Sequence, residues 1–241
     1  MALPFGIQVK NKPQSVPRRG VWFGILAGFF FALDMFFWST GIMMSGATNP
    51  TFLANTAPLW VGLGAWLIYR EPQKLKFWMG LLTAVIGAAL VLGQDLRFSA
   101  ELGLGTFFGL ISAVFYGGFQ LVGQHGRRYL NTLAYFWIST TASAFFLLVI
   151  ALVLQEPLWG YSIQTWLMFL IMAVLVQCIG WLLVNHAQGH LPAAIISPSM
   201  LLQPLLTALL APIFLGEVFT PWHILGGSMV LLGVFVVHSG R

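Results

Sequence analysis

The chain has 241 residues, of which 59% are hydrophobic and only 7% charged, whereas soluble domains run near ~25% charged. Eleven Lys and Arg with six Asp and Glu cannot coat a water-soluble globule of this length, and a mean hydropathy of +0.87 turns the outer surface towards hydrocarbon. That excludes a cytosolic enzyme, a nucleic-acid-binding module and a secreted disulfide scaffold. The pI of 9.7 reflects few cations on an acid-poor chain and does not point to nucleic acid. Cys178 is the single cysteine, so neither an intrachain disulfide nor a Cys-based zinc or iron–sulfur site is possible.

In chain order, residues 1–8 (MALPFGIQ) are too short and too proline-broken for a signal-peptide core, so the N-terminus reads as retained. Eight apolar segments follow, at 21–44, 51–69, 77–93, 103–123, 132–154, 165–185, 193–215 and 221–239. Each comes close to the ~20 residues a bilayer-spanning helix needs. Continuous runs such as 147–154 favour helices over the alternating strands of a membrane barrel. The expected fold is all-α: a polytopic membrane bundle of about eight transmembrane helices, with the lipid bilayer as its main partner. With the N-terminus inside, ten cations lie inside (Lys10, Lys12, Arg18, Arg19, Arg70, Lys74, Lys76, Arg127, Arg128 and Arg241) and only Arg97 lies outside. The positive-inside rule then places both termini in the cytoplasm.

Shifting the chain by 146 residues aligns 21–93 with 167–239 without a gap. Pro58 falls on Pro204, Glu71 on Glu217, Gly80 on Gly226 and Gly87 on Gly233; Phe23, Ile25, Ala27, Ala47, Leu59, Leu63, Ala65 and Val91 also match. The predicted spans give the two copies opposite directions. Inverted repeats of this kind are a transporter signature, with the binding site near mid-membrane where the repeats meet. The same offset leaves 103–123 and 132–154 without partners, so the chain reads as three helices plus five, cut from a five-plus-five plan. The copies divide as 1–94 and 103–239.

The order of these features is informative: a Pro within a span, a Glu at its end and a Gly-rich span after it, twice over, with Ala47-Thr48-Asn49 and Asn55-Thr56-Ala57-Pro58 in the first copy. It resembles the EamA family of the drug/metabolite transporter superfamily. The resemblance implies ten helices in two inverted five-helix repeats. It also implies an inner-membrane location and secondary transport of a small organic solute, often outward; no cofactor is expected. This chain departs from the pattern by lacking the first two helices. A truncated chain that works only with a partner or as a homodimer is the alternative expectation.

Asp34, about fourteen residues into segment 21–44, is the only acid inside a predicted span. Intramembrane carboxyls are costly and face a cavity or a partner, so Asp34 is the candidate carrier of a proton or cation. Trp38, one turn on, is a candidate wall of the same path. The neutral polar candidates for solute binding are Asn55, Thr56, Tyr116, Gln120, Gln177 and Gln203, with Asn185 and Ser197 also within spans. Pro58 and Pro204 each remove a backbone hydrogen bond and are expected to kink their helices. Glu71 and Glu217 read as interfacial capping carboxylates. His186 and His190 share a spacing of four, but no third ligand is apparent, so no metal is expected. The glycines within spans read as close-packing points. No phosphate-cradling GxxxxGK, GxGxxG or HExxH occurs. One intramembrane carboxyl without an intramembrane His lacks the acid/base pair an intramembrane enzyme needs.

Overall fold

The computed structural model describes residues 17–92, 103–215 and 221–239. Lys10, Lys12, Asp95, Arg97, Glu101, Glu217 and Arg241 lie outside the described residues. Among the described residues the structure is helical and has no strand. Its elements are α1 (Arg18–Ser45), α2 (Thr48–Ala54), α3 (Ala57–Leu67), α4 (Leu75–Leu92), α5 (Gly103–Gly126) and α6 (Thr132–Val153), then α7 (Ile163–Met172), a π-helical segment (Ala173–Gly180) and α8 (Trp181–Gln188), followed by α9 (Ala193–Ser199), α10 (Leu202–Leu215) and α11 (Pro221–Ser239). These occupy the eight apolar segments. Among the described residues, α1, α5, α6, the 163–188 helix and α11 are each long and apolar enough to cross a bilayer alone.

Local chemistry sets the ends. Asn131 caps α6 by accepting from the Ala134 N–H at 2.8 Å, and Ser162 caps α7 through the Thr165 N–H at 3.2 Å. Each satisfies one of the donors a first helical turn leaves unpaired. Gly46, at φ +79°, ends α1 in the left-handed conformation that glycine adopts without steric cost.

The expected kinks are breaks. Segment 51–69 divides at Asn55–Thr56 and segment 193–215 at Met200–Leu201. A helical proline cannot donate to the carbonyl four residues back, and its ring clashes with it. Pro58 would meet the carbonyl of Ala54 and Pro204 that of Met200. Pro58 instead occupies the first turn of α3, where the missing N–H has no helical partner to lose.

The chain forms two compact units: Met1–Leu33 with Phe119–Pro192, and Asp34–Gly118 with Ala193–Arg241. In the first, glycines four apart on α1 meet α6 and the turn before it. A Cβ on Gly20 would lie 2.7 Å from Leu130 Cγ, one on Gly24 2.7 Å from Ile138 Cγ2 and one on Gly28 2.6 Å from Ser139 O. Only a glycine stripe lets the backbones come this close in lipid, and the Ser143 hydroxyl then donates to Gly28 O at 3.1 Å.

The second unit is built on α4 against α11. A Cβ on Gly80 would lie 2.7 Å from Gly233 O, and one on Gly87 2.5 Å from Gly226 O; reciprocally, Gly226 meets Gly87 O and Gly233 meets Gly80 O. The 146-residue offset sends the pair Gly80–Gly233 onto Gly226–Gly87. It therefore maps this crossing onto itself, as a local two-fold requires. The same offset carries α2 to within a residue of α9, and α4 onto α11.

Candidate functional site

In the second unit α1 and α5 approach through small residues. A Cβ on Gly41 would lie 2.8 Å from Gly105 O, and one on Gly105 2.7 Å from Ser45 Cβ. This contact, two turns from Asp34, brings the Ser112 hydroxyl to the carboxyl group, where it donates to Oδ1 at 2.6 Å. Asp34 is 3% exposed and Ser112 is fully enclosed. No basic side chain pairs with Asp34 among the described residues. The arrangement is a carboxyl group held by one neutral donor in mid-span.

The Trp38 indole N–H donates to Thr51 Oγ1 at 3.1 Å, tying α1 to α2. Buried Asn49 reaches Thr106 Oγ1 at 3.4 Å from α2 to α5. Asn55 and Thr56 form the break itself, where the Thr56 hydroxyl donates to Leu53 O at 2.6 Å. Tyr116 is half-buried on α5, one turn after Ser112. Gln203 is exposed, with its amide near Met200 Sδ at 3.9 Å. Pro204 is buried at the start of α10.

The first unit holds a cavity of about 200 Å³, lined by Phe31, Phe119, Ser139, Thr140, Ser143, Ala144, Leu147, Gln177, Trp181 and Asn185. One wall is aromatic. Phe31, Phe119 and Trp181 have ring centroids 5.0–5.3 Å apart, with Trp181 edge-on to both phenylalanines at 82° and 85°. The remaining lining side chains offer hydroxyls and two amides. Gln177 sits in the π-helical segment; π turns are rare and gather at functional sites. Gln120, next to Phe119, is fully buried and neither amide atom has a hydrogen-bond partner among the described residues. The cavity carries no charged side chain, so it suits an uncharged group with a flat apolar face and a hydrogen-bonding edge.

Below Asn185, Arg127 follows α5 directly. Its Nε donates to Asn185 O at 2.9 Å, Nη1 to Leu130 O, and Nη2 to Thr132 Oγ1 at 2.7 Å. Burial pulls its guanidinium down from the ordinary arginine value, with Tyr135 acting in the opposite sense; it remains a cation at any physiological pH.

His186 and His190 have rings 4.6 Å apart, and His190 Nδ1 lies 2.9 Å from His186 O. No group of three potential metal ligands occurs among the described residues. Sequence reasoning missed Ser112 and the aromatic wall. The register of Tyr116 and Gln120, carried one turn back along α5, leads to Ser112; nothing comparable singled out Phe31, Phe119 or Trp181 from the other aromatic residues.

A helical chain of this composition is a multi-pass membrane protein by class. The model of the EamA-like transporter family matches residues 1–93 and 103–239, and the chain belongs to that family. An uncharacterized transporter of Synechocystis sp. is 25% identical over 240 residues, covering 96% of this chain and 70% of that protein. An uncharacterized transporter of Bacillus subtilis, YwfM, is 22% identical over 208 residues, covering 83% and 67%. One of Methanothermobacter thermautotrophicus is 26% identical over 207 residues and is covered over 59% of its length. A solved crystal structure shares the fold at a TM-score of 0.75 with 17% identity, over 90% of this chain and 77% of that one.

Proposed function

We propose that this chain carries a small organic solute across the plasma membrane by alternating access, coupled to a proton gradient and working as an exporter, with both termini in the cytoplasm. The single observation that carries the coupling is Asp34. It is a lone carboxyl, buried at mid-span, with a neutral hydroxyl as its partner, and such a group can take up and release one proton without breaking an ion pair. The uneven distribution of Lys and Arg supports the orientation. The contact of α4 with α11, mapped onto itself by the offset, supports the inverted repeat and its division at 1–94 and 103–239. Helices broken at equivalent places, α2–α3 and α9–α10, are the kind of element around which such carriers build their sites. We place the solute in the cavity, with Gln177 and the aromatic wall as its contacts.

The test is uptake and efflux in reconstituted vesicles, with a panel of solutes and an imposed pH gradient. Asp34→Asn is expected to abolish gradient-driven transport while the protein still inserts, and Asp34→Glu to retain part of it. Full gradient-driven activity in Asp34→Asn removes the carboxyl from the mechanism. One observation favours a second reading, in which the chain acts only in an assembly: α7 and the π-helical segment have no buried residue. A mass measurement in detergent that finds only active monomer eliminates that reading.

A further inference from the structure

We infer that a hydrated polar shaft leads from the cavity of the first unit to the cytoplasmic ends of α5, α6 and α8, and that Arg127 is the gate that closes it. The inference rests on the transport reading and the orientation proposed above, and it adds a route and a gate to them.

The argument begins with register. Residues three, four and seven apart share one face of a helix. On α5, Gln120 and Gly123 form such a stripe, which Arg127 continues just past the helix end; on α8, Trp181, Asn185 and Gln188 form another. The stripes face each other, since a Cβ on Gly123 would lie 2.5 Å from Gln188 Oε1, and Arg127 Nε donates to Asn185 O at 2.9 Å. Tyr135 of α6 joins them, with its ring against Gly126. Trp181 and Asn185 also line the cavity. The polar stripes therefore run continuously from the cavity to the end of the unit where Arg127 sits.

The side chains in this column are buried and incompletely bonded. Gln120, Tyr135, Asn185 and Gln188 are all between 0% and 2% exposed. Both amide atoms of Gln120 and of Gln188, the Tyr135 hydroxyl and Asn185 Oδ1 have no hydrogen-bond partner among the described residues. Native proteins rarely leave such atoms unpaired, and internal water is the usual partner. Six atoms at about three bonds per water suffice for two or three waters. A purely structural column would pair its amides with each other, as membrane helices commonly do.

Arg127 closes the end of this column with bonds that can be released. All three of its acceptors are neutral, a hydroxyl and two carbonyls, and the backbone at Gly189 packs on the guanidinium. The charge joins the end of α5 to the start of α6 and to α8. Opening it exposes the guanidinium to water and anionic headgroups instead of leaving it unpaired in lipid.

Two measurements test this without any solute. X-ray radiolysis of the unmodified protein labels residues that touch water, and it is expected to oxidise Tyr135 at a rate within threefold of exposed Tyr161. An unlabelled Tyr135 overturns the shaft. In a Cys178→Ser background, Gln188→Cys and Gln120→Cys are expected to react with a charged methanethiosulfonate reagent from the cytoplasmic side, Gln188→Cys faster, while Ala84→Cys stays inert. Adding Arg127→Ala raises both rates at least tenfold. Thr132→Val, which removes one acceptor and keeps the shape, raises them about threefold and serves if Arg127→Ala does not insert. Rates equal to that of Ala84→Cys, or unchanged by both gate variants, overturn the inference. Expected labelling with no transport of any solute overturns the transport reading and leaves the shaft standing.

Discussion

Gly87→Ala is the sharpest perturbation of the scaffold. The added Cβ would lie 2.5 Å from Gly226 O, 2.7 Å from Val230 N and 2.8 Å from Met229 Cβ, where real Cβ atoms essentially never come within 3.0 Å. Two of these three neighbours are backbone atoms, so no side-chain rotation relieves the overlap. The closest contact demands a shift of at least half an ångström, and α4 must move off α11 to provide it. Overpacking a tight interface costs about 1–3 kcal/mol. The intrinsic preference of a helix for Ala over Gly returns about 1 kcal/mol, and a rigid backbone clash leaves the cost near the top of its range, so a net loss of about 2 kcal/mol is expected. For a protein of this size that is a fall of roughly 4–8 °C in melting temperature, read by thermal unfolding in detergent. Gly103→Ala is the control, since nothing lies within 4 Å of its added Cβ, and it should hold or raise the melting temperature rather than lower it. The double variant Gly87→Ala/Gly226→Ala should cost less than the sum of its parts, because one separation relieves both clashes. A Gly87→Ala protein that melts with the unmodified chain refutes the close crossing.

Three further outcomes are expected. Ser112→Ala leaves a buried Asp34 oxygen without its donor and should destabilise by about 1–3 kcal/mol, read by the same melting assay; no change means the 2.6 Å bond contributes nothing. Asn131→Ala removes the cap of α6 and should cost about 1 kcal/mol, whereas Asn131→Asp keeps an acceptor and should recover most of it. Trp181→Ala removes two edge-on aromatic contacts from the cavity wall. At ~0.5–1.5 kcal/mol for one lost aromatic contact with the solute it should raise the transport KM about two- to twelvefold, and an unchanged KM moves the solute out of this cavity.

The eight apolar segments were legible because a bilayer demands long uninterrupted hydrophobic stretches and little else produces them. The breaks at Asn55–Thr56 and Met200–Leu201 were half legible. Proline marks where a helix loses its ladder, but whether the result is a kink or a break depends on what packs beside it, and here the chain restarts with Pro58 in the first turn of α3. The π-helical segment was not legible at all, since Ala173–Ile179 has the composition of any membrane helix. Asp34 stood out because a lone carboxyl in hydrocarbon is rare. Its partner Ser112 did not, because serine is tolerated anywhere in a span and one sequence does not say which helix faces which. Gln120 and Gln177 were found by polarity, and the structure brings both to the first unit, whereas Asn55, Thr56 and Gln203 belong to the second. The aromatic wall is composed of residues whose type is common throughout the chain, so only their position distinguishes them.

The two copies share a backbone plan far more closely than a chemistry. Under the 146-residue offset Asp34 corresponds to Gly180, Trp38 to Val184, Asn55 to Leu201 and Thr56 to Leu202, while Gln177 corresponds to Phe31. The matched positions are instead those that govern backbone geometry: Pro58 with Pro204, Gly80 with Gly226 and Gly87 with Gly233. Glycine is retained where the α4–α11 crossing leaves no room for a Cβ, and proline where a helix must stop and restart. Alternating access, as proposed for this chain, needs two conformations of similar energy, and the inverted repeat proposed with it would supply them. Coupling needs only one ionisable group. A second carboxyl at the position of Gly180 would lie on a helix face in hydrocarbon with no donor like Ser112 built for it, adding desolvation cost without adding a proton that the cycle uses. Under the proposed proton coupling, symmetric geometry with one-sided chemistry is sufficient. On this argument Gly180→Asp should impair insertion without rescuing Asp34→Asn, and restoration of gradient-driven transport by that second-site change would refute it.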